Sequence, residues 1–158
     1  MKNTCSSLYT KEVMGHFKKP HNYGNIKDAD GIGKVGNIVC GDVMHLYIKV
    51  KNNIIKDIKF ETFGCVAAIS TSSVITDLAK GKTIEEALKI EKSDVIKSLG
   101  GLPVIKYHCS ILAVDALNEA IYDYLIKSKK PIPKDLEIKH KKIKKDRETI
   151  EKRYKKWL

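Results

Sequence analysis

The sequence predicts an α+β fold: a small three-stranded antiparallel sheet packed by several helices. Apolar and polar residues alternate over residues 43–50 and 54–62, and a turn at Lys51-Asn52-Asn53 joins the two runs, which is typical of a β-hairpin. Residues 31–37 supply the third strand. After Cys65 the apolar spacing becomes helical, and it remains so as far as Leu125.

The helical segments have clear beginnings and ends. Residues 9–17 predict a short amphipathic helix that stops before Pro20, and the helix after Cys65 ends at Lys80-Gly81. A capping box at Thr83-Ile84-Glu85-Glu86 opens another helix, and residues 93–99 form one more. The longest helix of the domain is predicted from an apolar stripe made of Ile111, Leu112, Leu117, Ile121, Tyr124 and Leu125.

The chain of 158 residues is predicted to divide at Pro131-Ile132-Pro133 into a domain, residues 1–130, and a lysine-rich helical tail, residues 131–158. The tail holds eleven Lys or Arg against five Asp or Glu, more than half of the net charge of +11. This concentration argues against a nucleic-acid-binding domain and favours a solvated helix, or one that attracts acidic protein partners.

The cysteines suggest a reducing compartment. The sequence has no apolar run long enough to span a membrane and no apolar stretch typical of a secretory signal, so we expect no membrane association and a cytoplasmic location. Four cysteines in that setting are expected to be ligands or reactive thiols rather than disulfides. The alternative is that they are small buried hydrophobic residues.

Three of these thiols fall at boundaries between predicted elements. Cys40 comes just before a strand, Cys65 follows Gly64 at a strand-to-helix turn, and Cys109 opens the long helix. The amino end of a helix favours the thiolate form, which binds metals and accepts sulfur.

Soft thiolates select zinc, cuprous copper or iron-sulfur clusters, and three of them leave one position of a tetrahedral site open. Asp42, two residues after Cys40, and His108, next to Cys109, are alternatives for that position. Either is a poorer partner for cluster iron than a fourth thiolate, which should make a cluster easier to release.

Other patterns receive no functional role. The run Gly31-Ile32-Gly33-Lys34-Val35-Gly36 has dinucleotide-binding spacing, but it leads into a strand and not into a helix. Cys5 lies in a polar stretch and is assigned no role. The same holds for His16, His21, His45 and His140.

Over residues 8–130 the sequence resembles the IscU/NifU family of iron-sulfur cluster assembly scaffolds. The motifs that carry the resemblance are Tyr9-Thr10-Lys11-Glu12-Val13, Pro20-His21-Asn22-Tyr23-Gly24, Cys40-Gly41-Asp42-Val43-Met44, Phe63-Gly64-Cys65, Lys80-Gly81-Lys82-Thr83 and Lys106-Tyr107-His108-Cys109-Ser110-Ile111-Leu112-Ala113.

The resemblance implies that Cys40, Cys65 and Cys109 hold a [2Fe-2S] cluster beside Asp42 and His108. It implies a non-enzymatic scaffold that combines iron with persulfide sulfur from a cysteine desulfurase and passes the cluster to apo-proteins. Cys109 is then the leading persulfide acceptor, assisted by Lys106, and a ferredoxin and an Hsp70-type chaperone are further partners. A homodimer is compatible with this interpretation.

Two departures from the family pattern matter. The chaperone recognition segment Leu-Pro-Pro-Val-Lys is replaced by Leu102-Pro103-Val104-Ile105-Lys106, and Val66-Ala67 follow Cys65 in place of Gly-Ser. The alternative function is that of a zinc-containing sulfur acceptor of the SufU type. The 44-residue spacing between Cys65 and Cys109 leaves no room for that branch's insertion, which favours the scaffold.

Overall fold

The structure is a computed structural model that describes residues 8–36 and 41–155. Within these residues the order of elements is a helix, three strands and five further helices. Their bounds are α1 Lys11–Lys18, β1 Gly31–Gly36, β2 Val43–Lys51, β3 Ile54–Phe63, α2 Val66–Ala79, α3 Ile84–Ala87, α4 Lys92–Ser98, α5 Tyr107–Lys127 and α6 Lys134–Lys155. The α+β class is confirmed.

The sheet is antiparallel in the order β1-β2-β3, as the alternation predicted. Asn52 and Asn53 both have positive φ, as a two-residue hairpin turn requires. The side chains of Met44, Leu46 and Ile48 are fully buried, so one face of β2 lies in the core.

An irregularity in β3 modifies the expected alternation. The pairing register between β2 and β3 shifts at Lys49 and Val50. Ile55 and Ile58 are therefore both fully buried although they are three residues apart. An extra residue of this kind in one strand is a β-bulge. After it, the apolar side chains of the strand face the core again.

The glycines of β1 allow close contact with α5. A Cβ atom on Gly31 would lie 2.2 Å from the carbonyl oxygen of Ala120, and one on Gly33 would lie 2.1 Å from that of Ala116. Both distances are shorter than any real contact. The glycine-rich run thus serves helix-to-strand packing, and it does not precede a helix.

Helix α2 is enclosed on almost all sides, where the sequence predicted only one apolar stripe. Its buried hydroxyl groups bond to backbone carbonyls: Ser70 Oγ donates to Val13 O at 2.8 Å, and Ser72 Oγ to Ala68 O at 2.6 Å. These hydrogen bonds satisfy the buried hydroxyl groups, so a serine- and threonine-rich helix can lie in the core.

The predicted helix boundaries are largely confirmed. Lys80 caps α2, and Thr83 and Glu86 form the capping box of α3. Helix α5 begins at Tyr107, two residues before Cys109, which was predicted to open it, and it contains Cys109 in its first turn. The expected burial of Ile111 is wrong: its side chain is 42% exposed, because it lines an open cleft between α5 and α6.

Helix α6 packs against α5. Leu136 is buried, and the ring of His140 stacks on Tyr122 with 3.7 Å between ring centroids. Nδ1 of His140 lies 2.9 Å from a carboxylate oxygen of Glu119. The division into domain and tail remains a prediction. Among the described residues, no helix has the length and apolar character to cross a membrane.

A cleft of about 550 Å³ lies between α5 and α6, with His108, Asp115 and Asn118 in its lining. Burial raises the pKa of Asp115 to about 6, although Lys142 and Lys139 oppose this effect. Glu119 and Asp146 act in the same direction as burial.

We expect Gly33→Ala to reduce the free energy of unfolding by about 1–3 kcal/mol, because the new methyl group must displace the α5 backbone. Gly15→Ala is the matched control, since no atom lies within 4 Å of its added Cβ. Because Gly15 lies at an exposed position of α1, Gly15→Ala should raise the free energy of unfolding by up to ~1 kcal/mol. Urea unfolding measures both. Equal stabilities for the two variants would contradict the close packing of α5 on β1.

We expect Asp115→Asn to flatten the pH dependence of stability. In the wild type the folded-state pKa of Asp115, about 6, lies above the ordinary value of 3.8 for an aspartate side chain. The folded state therefore binds the proton more tightly, and the contribution of Asp115 to stability rises as pH falls from about 7 towards 4. The variant lacks this effect, which is roughly 3 kcal/mol at most. Urea unfolding between pH 4 and 7 measures it, with Asp135→Asn as the control, because Asp135 is exposed and is not among the charges that shift Asp115. Parallel curves for wild type and Asp115→Asn would contradict the assignment.

Candidate functional site

The first component of the site lies at the amino end of α2. Strand β3 ends at Phe63, and Cys65 occupies the N-cap position of α2 with extended backbone angles. Its side chain is partly exposed. The helix dipole favours negative charge at this position, which suits a thiolate.

The second component lies at the amino end of α5. A 3-10 turn, Val104–Lys106, leads directly into the helix, so His108 and Cys109 fall in its first turn. Cys109 is 1% exposed. Thr71 Oγ1 of α2 lies 3.3 Å from the Cys109 carbonyl oxygen, which joins the two helices near their amino ends.

Asp42 is the point at which these parts meet. Its side chain is only 3% exposed, just before β2, and Cys109 Sγ lies 3.9 Å from Asp42 Oδ2. One donor atom from each of Asp42, His108 and Cys109 lies within 4.8 Å of the others. A carboxylate, an imidazole and a thiol at this spacing can bind one metal ion.

Cys65 lies beside this group rather than within it. Lys106 Nζ is 3.8 Å from Cys65 Sγ, so the ammonium group that was expected to assist Cys109 contacts Cys65. Gly64, immediately before Cys65, lies against Asp42: an added Cβ would be 2.6 Å from Asp42 Oδ1. Cys65 therefore belongs to the same corner of the molecule.

The predicted ligand Cys40 is not among the residues that the structure describes. Cys5 also lies outside the described residues. The structure thus brings together Asp42, His108 and Cys109, and places Cys65 and Lys106 next to them. Sequence reasoning missed the steric role of Gly64, whose signal was only its position beside a candidate ligand.

The fold and the donor set define the class: a small α+β protein with a thiol-containing candidate metal centre. A family model, the NifU-like N-terminal domain, matches residues 8–131. The chain belongs to this family, which includes the IscU proteins.

Individual proteins with assigned names are also similar to this chain. A protein of Archaeoglobus fulgidus named iron-sulfur cluster assembly scaffold protein IscU 1 is 62% identical over 123 residues, which cover 78% of this chain and 80% of that protein. The IscU scaffold protein of Aquifex aeolicus is 46% identical over 121 residues, covering 75% and 77%.

The fold is also similar to a crystal structure of a scaffold protein for the SUF system from Fervidobacterium islandicum. Its TM-score is 0.61 at 24% identity, covering 73% of this chain and 97% of that one. At this identity the likeness concerns the fold alone.

We expect Gly64→Ala to weaken metal binding at the candidate site, because the methyl group must displace the Asp42 carboxylate. Titration with Co²⁺ under anaerobic conditions, followed by thiolate-to-cobalt absorption, measures the affinity. Gly36→Ala is the control, since its added Cβ would make an ordinary 3.6 Å contact with the Asp42 backbone oxygen. Unchanged affinity for Gly64→Ala would show that the Asp42 position does not matter for binding.

Proposed function

We propose that this protein is a scaffold on which a [2Fe-2S] cluster is assembled and from which it is transferred to apo-proteins. The observation that carries the proposal is the convergence of Asp42, His108 and Cys109 beside Cys65 at the amino ends of two helices. The names of the relatives support it. The cluster is cargo, so in this proposal the protein is a carrier and not an enzyme.

The donor set suits temporary binding. In the proposal, thiolates of Cys40, Cys65 and Cys109 hold the iron atoms, and Asp42 or His108 completes the coordination. Oxygen and nitrogen donors bind cluster iron less well than a fourth thiolate does, so an acceptor with four cysteines gains the cluster favourably. Zinc suits the same donors and is expected in protein purified without iron.

Sulfur arrives as a persulfide on a cysteine desulfurase. A scaffold thiolate attacks the terminal sulfur, a new S–S bond forms, the old S–S bond breaks, and the desulfurase cysteine leaves as thiolate. Two electrons, supplied by a ferredoxin, then reduce each transferred sulfur to sulfide. Cys109 remains the proposed acceptor, but its burial means that the amino end of α5 must open when the desulfurase docks. Cys65, with Lys106 beside it, is the more accessible alternative.

Partners have a surface on which to dock. Large apolar side chains near the two thiols are exposed, 85% for Phe63, 77% for Val104 and 78% for Ile105. Exposed apolar groups around a site favour protein contacts. We assign this rim to the desulfurase and to acceptor proteins, and the segment Leu102–Lys106 to an Hsp70-type chaperone. The basic helix α6 would attract acidic partners such as ferredoxin. Cysteines that serve as ligands rather than in disulfides fit a cytoplasmic location.

We expect Cys65→Ser and Cys109→Ser each to abolish transferable cluster. The experiment is anaerobic reconstitution with iron, cysteine and a desulfurase, followed by transfer to apo-ferredoxin, with visible absorption and circular dichroism as readouts. Replacing a thiolate with a hydroxyl removes a soft ligand that iron requires.

Cys5→Ser is the matched control and should assemble and transfer normally. Mass spectrometry of each variant after exposure to the desulfurase identifies the thiol that receives sulfur. If the wild type binds zinc, forms no cluster and still accepts persulfide, the zinc-dependent sulfur acceptor replaces the scaffold as the function.

A further inference from the structure

A second group of potential metal ligands lies away from the candidate cluster site. One donor atom from each of His16, His21 and Asp77 lies within 4.8 Å of the others. The two imidazole rings are tilted at 56°, with 4.6 Å between their centroids. Among the described residues, the donor atoms of this group lie within the same distance of one another as those of Asp42, His108 and Cys109.

The position of this group separates it from the cluster site. Asp77 lies in the last turn of α2, whereas Cys65 caps the first turn. Twelve residues of α-helix at 1.5 Å per residue place the two about 18 Å apart. An ion held by Asp77 therefore cannot also bind to the candidate cluster ligands.

Hydrogen bonds orient both rings as ligands. His21 Nδ1 lies 2.6 Å from Asp77 Oδ2, so an ion that takes the place of the proton between these two atoms has both of them as ligands. Ser73 Oγ accepts from the His21 backbone N–H at 2.8 Å and lies 2.8 Å from His16 Nδ1. Its second lone pair can accept from His16 in the same way.

The carboxylate is also held in place. Asn22 Nδ2 donates to Asp77 Oδ1 at 3.3 Å and to Thr76 Oγ1 at 3.0 Å. Metal-binding histidines typically have their second ring nitrogen fixed by a carboxylate or another protein oxygen, and Ser73 Oγ fixes Nδ1 of His16 in this way. Two imidazoles and one carboxylate form a donor set that zinc accepts, with a fourth position for water.

We propose that His16, His21 and Asp77 bind a divalent transition-metal cation of the zinc type and thereby fasten α1 and the turn after it to the end of α2. His16 belongs to α1, His21 to the turn, and Asp77 to α2. The ion thus links segments more than fifty residues apart in the sequence, and its binding contributes to the stability of the folded state.

The test is zinc binding to the full-length chain after removal of metals, measured by competition with a chromophoric chelator. Wild type should bind one more equivalent of Zn²⁺ than His21→Gln, or bind that equivalent at least about tenfold more tightly. His45→Gln is the matched control, because His45 lies on β2 outside both groups, and it should behave as wild type. Equal stoichiometry and affinity for wild type and His21→Gln overturns the proposal.

A second measurement distinguishes zinc binding at the His16, His21 and Asp77 group from zinc binding at the candidate cluster site. In the chain with all four cysteines replaced by serine, Zn²⁺ should still raise Tm by several degrees, and adding His21→Gln should remove the rise. Should this chain not fold, the chemical shifts of the histidine ring nitrogens in the wild type replace the Tm reading. Shifts confined to His108 on zinc addition contradict the proposal, whereas shifts of His16 and His21 support it. Neither result depends on cluster assembly.

Discussion

The close contact of α5 with β1 is the constraint on which the candidate site depends. Without side chains on Gly31 and Gly33, the strand backbone lies directly against the carbonyls of Ala116 and Ala120. This contact fixes the distance of α5 from the sheet. Since Cys109 lies at the amino end of α5 and Asp42 just before β2, the strand paired with β1, the same contact fixes the distance between these two candidate ligands. A third glycine, Gly64, leaves room for the Asp42 carboxylate next to Cys65.

The sequence was sufficient to predict the fold because its signals were local. The alternation in β2, the turn at Asn52 and the capping box at Thr83 each depend on residues within a few positions of one another, and all three are present. The local signals failed where contacts between distant parts of the chain determine the structure. The register shift in β3 depends on pairing with β2, and the burial of α2 on almost all sides depends on helices far away in the sequence.

The candidate site was predictable in its composition but not in its internal arrangement. The chemistry of thiols beside Asp42 and His108 indicated which residues to examine, and three of them do converge. The contact of Lys106 with Cys65 depends on the 3-10 turn before α5, which no periodicity indicates. The histidines His16 and His21 gave no signal either, because their partner Asp77 is more than fifty residues away in the sequence.

The arrangement of the two thiols bears on how cargo is released. Cys109 and Asp42 are buried, and a buried carboxylate is costly unless a cation or strong hydrogen bonds compensate. In the proposed function a bound iron centre would lower that cost, so binding would be favourable while the corner is closed. Cys65, in contrast, is partly exposed at the end of a helix. In the proposed function an acceptor would therefore approach from the Cys65 side, and any movement at the amino end of α5 that admits water to Asp42 would remove the advantage of keeping the metal there. Under this proposal, retention and release depend on the same few residues at the start of α5.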